Sequence, residues 1–93
     1  MPRFRKKPVE VEAMQFTEES KDRVWSWVRA HGGRVDPSRD ESGLPVLVIY
    51  TLNGPVRAGI GEWVVRGVKG EWYPCAADIF EATYEAVVEA ASR

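Results

Sequence analysis

An α+β domain is predicted, with one amphipathic helix packed on a mostly antiparallel, bent sheet of about five to six short strands. Three features predict it. Val24, Trp27 and Val28 recur at helical spacing ahead of Gly32-Gly33. Leu44–Leu52 is an apolar run rich in β-branched residues, suited to a strand covered on both faces. Asn53-Gly54 and Gly67-Val68-Lys69-Gly70 are turn signals that each divide two strand-like segments.

In chain order, Val9, Val11 and Ala13 alternate with Glu10 and Glu12 and predict a half-buried first strand continuing to Phe16. Thr17 is the expected N-cap. Glu18 and Glu19 then occupy the first turn, where carboxylates favour the positive end of the helix dipole. The helix is expected over about 18–31. Trp25 falls at the edge of its apolar face, so Trp25 and Trp27 are expected to differ in burial. Arg34-Val35 opens a short strand, and Asp36–Gly43 reads as a polar loop. With Asn53-Gly54 as a two-residue loop, Thr51 falls opposite Val56 and Tyr50 opposite Arg57; Pro55 places the returning strand at an edge. With Val68-Lys69 as the second loop, Arg66 faces Glu71, Val65 faces Trp72 and Val64 faces Tyr73. Trp63 and Trp72 are then diagonal neighbours on one face. Beyond Pro74 both a helical and a strand periodicity fit. A helical turn near 77–81 followed by a strand over Thr83–Val88 is the reading adopted, on β-branched content.

The 93 residues are enough for one core and too few for two, so residues 1–93 are expected to form a single domain. No apolar run approaches the ~18 residues of a bilayer span, and membrane insertion is not expected. Arg3, Arg5, Lys6 and Lys7 make residues 1–8 a basic arm, but Val9-Glu10-Val11-Glu12 follows where a signal peptide needs an apolar core. One cysteine excludes an internal disulfide and fits a reducing cytoplasm. A net charge of -1 supplies no overall positive field, and nucleic acid is not an expected partner.

No catalytic constellation is legible, and neither catalysis nor a cofactor is expected. His31, the single histidine, sits at a helix end with no nucleophile identified beside it, and Cys75 has no adjacent base to lower its pKa. One histidine and one cysteine do not make a zinc site, and Asp36, Asp40 and Glu41 lack the spacing of a calcium loop. Gly59, Gly61 and Gly67 do not complete a dinucleotide fingerprint. What remains is a recognition surface. Arg57, Arg66 and Lys69, with Trp63, Trp72 or Tyr73, compose a rim of cations around aromatic plates, and Trp25 offers a second contact on the helix. The other reading of Trp63 and Trp72 is core filling, since a small domain needs large side chains.

The segment Gly61-Glu62-Trp63-Val64-Val65-Arg66-Gly67-Val68-Lys69-Gly70-Glu71-Trp72-Tyr73-Pro74-Cys75, followed by Asp78-Ile79-Phe80-Glu81-Ala82-Thr83-Tyr84-Glu85, carries a family signature. It resembles a family of small proteins encoded by tailed bacteriophages and prophages, notably those of actinobacteria. Arg5–Ala13 with Gln15-Phe16, and Thr51-Leu52-Asn53-Gly54, are similar to that family's start and middle turn. Ala77 stands where family members usually have proline, and the Asp36–Gly43 segment falls outside the likeness. The resemblance implies a non-enzymatic accessory protein in the host cytoplasm that binds, and inhibits or redirects, a host bacterial protein of growth, division or defence. The alternative is an oligomer that sequesters a small nucleotide signal between subunits, which requires convergent arginines.

Overall fold

A computed structural model describes residues 2–5 and 7–87. The elements run β1 (Glu12–Gln15), α1 (Lys21–Ala30), β2 (Arg34–Arg39), β3 (Pro45–Thr51), β4 (Gly54–Gly59), β5 (Trp63–Arg66), β6 (Trp72–Cys75) and α2 (Ala77–Thr83). The class is α+β. Instead of one bent sheet, the strands form two three-stranded sheets, ordered β1-β5-β6 and β2-β3-β4, with every neighbouring pair antiparallel. Phe16, Val24, Val28, Val35, Leu47, Ile49, Ala58, Val64 and Trp72 form the core between α1 and both sheets.

Strand β1 starts at Glu12, three residues after the expected start. Its partner β5 is only four residues long: Arg66 pairs with Glu12, and Gly67 then turns away to bond Glu71. The helix begins at Lys21, not Glu18. The Ser20 amide donates to Thr17 Oγ1 at 3.0 Å, closing a turn over 18–20, and the Ser20 hydroxyl donates to the Gln15 carbonyl. That turn is thereby tied to the end of β1, and helical bonding starts with the Val24 amide on the Ser20 carbonyl. The helix stops where glycine predicts it. Gly32 has φ +88°, and the Gly33 amide returns to the Val28 carbonyl at 2.9 Å. Trp25 and Trp27 are both half-buried, against the expected asymmetry. At ~3.6 residues per turn each lies about 80° from the midline of Val24 and Val28, so the helix shows both on its flanks.

The expected loop over Asp36–Gly43 is in its first half strand β2, which continues through Pro37. Since β2 is an edge strand, the amide that proline lacks need not serve an inner ladder. The remaining loop is closed by Asp40, whose Oδ1 accepts from the Ser42 and Leu44 amides at 2.8 and 3.0 Å. β3 is central, and β4 is the edge that Pro55 foretells.

Both hairpin registers differ from expectation for one reason. In each, a glycine in a left-handed conformation leads into the returning strand: Gly54 opens β4 at φ +107°, and Gly70 ends the second loop at φ +82°. Thr51 therefore pairs with Gly54 and Val48 with Arg57, a two-residue shift that keeps every side chain on its expected face. In the second hairpin the shift is one residue. Arg66 pairs with Trp72, Val65 with Tyr73 and Trp63 with Cys75, which sends Trp63 and Trp72 to opposite faces. The expected strand over Thr83–Val88 is not formed among the described residues. α2 extends to Thr83, Tyr84 is extended at φ −123° and ψ 153°, and 84–87 join no ladder; Val88 lies outside the described residues.

Candidate functional site

The expected patch is dispersed by the fold. Trp72 is core, 9% exposed, and meets Trp27 edge-on at 5.1 Å. Arg66 lies on that same face, 5.9 Å from the Trp72 ring, and its Nη1 donates to Glu12 at 3.3 Å. Lys69 caps the hairpin tip, where its amide donates to Glu71 Oε1 at 3.0 Å. Arg57 is on the other sheet, reaching the Arg39 carbonyl at 3.4 Å. The three cations thus do not converge on one aromatic plate. Trp25 lies under the Arg29 guanidinium, 4.8 Å from its ring.

Trp63 and Tyr73 share the far face of sheet β1-β5-β6, together with the fully buried Val65. α2 covers this face. Trp63 stacks on Phe80 with centroids 4.3 Å apart and planes 11° from parallel, and Phe80 continues to Tyr84 at 4.9 Å. The Tyr73 and Tyr84 hydroxyls lie 3.4 Å apart. Burial, then that hydrogen bond and the neighbouring negative charge, push the Tyr73 phenol well above its ordinary range. A phenol whose folded pKa is raised stabilises the fold fully below its unfolded value of ~10, and that stability drains as pH rises towards the folded value. Melting temperature is expected to fall above pH ~10, and Tyr73→Phe to flatten the fall, read by melting curves beside tyrosinate absorbance. Some slope remains from Tyr50, whose hydroxyl donates to Asp36 at 2.7 Å and is raised by that bond.

Between α2 with the residues after it and the segment 8–14 runs a groove of about 1270 Å³. Trp27, Trp63, Phe80 and Tyr84 give it an aromatic wall, and Glu10, Glu12, Glu81 and Glu85 line it with carboxylates; among the described residues no Lys, Arg or His does so. Glu12 is paired with Arg66, while Glu10, Glu81 and Glu85 make no ion pair among the described residues. A smaller hollow of about 430 Å³ lies between α1 and the β2-β3 ends, walled by Phe16, Trp25, Pro45 and Leu47 with Lys21 and Arg39 among its lining residues. The indole N–H groups of Trp25 and Trp63, one in the lining of each concavity, are buried without a hydrogen-bond partner. A buried donor left unpaired costs stability.

His31 donates Nδ1–H to the Trp27 carbonyl at 3.0 Å at the end of α1, whereas Cys75 ends β6. Among the described residues, no group of three His, Cys, Asp or Glu side chains is placed to hold a metal ion, and no helix is long and apolar enough to cross a membrane. The groove residues Glu10, Glu12, Phe80, Glu81, Tyr84 and Glu85 were not among the expected site residues. Part of their signal was present: Phe80 and Tyr84 are four apart, and the Tyr84 amide bonds the Phe80 carbonyl at the end of α2, a helical spacing obscured by the strand reading.

Fold and grooves together define a small α+β protein with a concave acidic-aromatic surface. The chain matches no known protein family, no curated protein and no solved structure.

Proposed function

We propose that this chain is a non-enzymatic accessory protein of bacteriophage origin, which binds a host bacterial protein in the host cytoplasm and blocks or redirects it. The groove between 8–14 and α2 takes a basic, apolar segment of that partner. One observation carries this reading: among the described residues, four glutamates and no Lys, Arg or His line the groove beside its aromatic wall. Like charges gathered at a cleft attract the opposite sign and reject partners of their own, while stacked rings supply contact area at low entropic cost. The phage-like signature supports the accessory role, since it includes Trp63, Phe80, Glu81, Tyr84 and Glu85, all in the groove lining. The nucleotide-sequestering alternative draws no support from Arg57 and Arg66, which lie on different sheets.

The test is a charge reversal on the groove. Glu81→Lys with Glu85→Lys is expected to weaken capture of the partner, and of a labelled Arg/Phe peptide, about tenfold or more. The urea unfolding curve of the variant should stay close to that of the parent, because both side chains are exposed. Unchanged binding by the reversed groove would remove this docking site.

A further inference from the structure

Resting on the groove as a docking site for basic apolar segments, we infer that in the isolated protein it holds the N-terminal arm of a second copy. Two chains exchange their arms, of which Pro2–Arg5 and Lys7 are described. The arm has the chemistry the groove selects. Arg3, Arg5 and Lys7 are exposed, and between the two arginines Phe4 is 93% exposed. The arm brings cations and one large ring; the groove offers Glu10, Glu81 and Glu85 without ion-pair partners among the described residues, beside Phe80 and Tyr84.

The chain's own arm does not fill its own groove, since Pro2–Arg5 and Lys7 are all exposed. The reason is local. Residues 8–14 form one wall, and the arm joins that wall at Pro8. Proline fixes its own φ and disfavours a helical turn at Lys7, which opposes a tight reversal of the arm into its own cleft. A second copy meets no such restriction. Each chain then contributes an arm and a groove, which is the self-complementary arrangement that closes a two-fold dimer.

Sedimentation equilibrium of the full chain over a concentration and salt series tests the exchange. A monomer–dimer equilibrium that weakens with salt is expected. Arg3→Glu with Arg5→Glu, or Glu81→Lys with Glu85→Lys, should each weaken the dimer about tenfold or more, and the four changes together should restore it. A dimer indifferent to both reversals overturns the exchange. So does a chain that stays monomeric throughout. A labelled peptide of residues 2–8, titrated onto the Arg3→Glu, Arg5→Glu chain, separates the two readings. If it binds while the parent chain is monomeric, the exchange falls and the groove stands. If it does not bind, both fall.

Discussion

Trp72→Ala is expected to lose about 3–5 kcal/mol of stability, a large share of the ~5–15 kcal/mol typical of a small domain. Trp72 is the one indole of the β5-β6 hairpin that enters the core. It is 9% exposed, meets Trp27 edge-on at 5.1 Å with planes 87° apart, and packs in the cluster that holds Val24, Val28 and Val64. Removing it opens a cavity where α1 meets sheet β1-β5-β6, and neighbours that are themselves buried cannot collapse into the space. Urea unfolding followed by far-ultraviolet circular dichroism measures the loss. Trp63→Ala should cost clearly less, because Trp63 is half-buried and its ring stacks on the peripheral Phe80. Equal losses from the two variants would contradict the assignment of Trp72 to the core and Trp63 to the outer layer.

Gly33→Ala is expected to cost about 1–3 kcal/mol, although an alanine there needs no unusual backbone angle. The obstacle is space. A Cβ at Gly33 would overlap Val28 Cγ1 and sit 2.9 Å from Trp72 Nε1 and 3.2 Å from Trp72 Cδ1. Both neighbours are core, so the new methyl would push α1 off β6. Gly67→Ala provides the comparison. Its Cβ also overlaps a neighbour, the Glu71 carboxylate, but Glu71 is exposed and can swing aside, losing mainly its bond to the Lys69 amide. A cost below about 1 kcal/mol is expected there, measured by the same urea titration. Gly33→Ala folding with parental stability would show that α1 and β6 are not locked at this approach.

These two variants also mark what the sequence could and could not disclose. The helix was legible because Val24 and Val28 repeat at its period and Gly32-Gly33 stops it. The central strand was legible because Pro45–Thr51 is apolar throughout and β-branched. Its outer neighbour was hidden, since Pro37 and a run of polar residues mimic a loop, and only pairing along β3 holds β2 extended. Hairpin register was hidden for a different reason. Gly-Val-Lys-Gly fits a two-residue loop and a three-residue loop closed by a left-handed glycine equally well. One residue separates them, and that residue decides whether Trp63 joins the core or backs α2.

The candidate site was less legible than the fold. Arg57 and Trp63 looked like parts of one rim while their strands were imagined in one sheet. Glu10 and Glu81 are distant in sequence, and they line one groove only because β1 pairs with β5 while α2 crosses the sheet behind it. Local pattern carries no record of such an encounter. Trp25 and Arg66 are both half-buried and serve different faces.

α2 contains no buried residue, and rings stacked at Trp63, Phe80 and Tyr84 are its main hold on the sheet. The principal core, on the opposite side, does not include any of its side chains. Such an element can lift away at a small fraction of the free energy of global unfolding. The cleft therefore has one bank that β1 anchors at Glu12–Met14, and one yielding bank that can widen or tighten. A binding surface built this way tolerates guests of differing girth, and selects among them by charge more sharply than by shape.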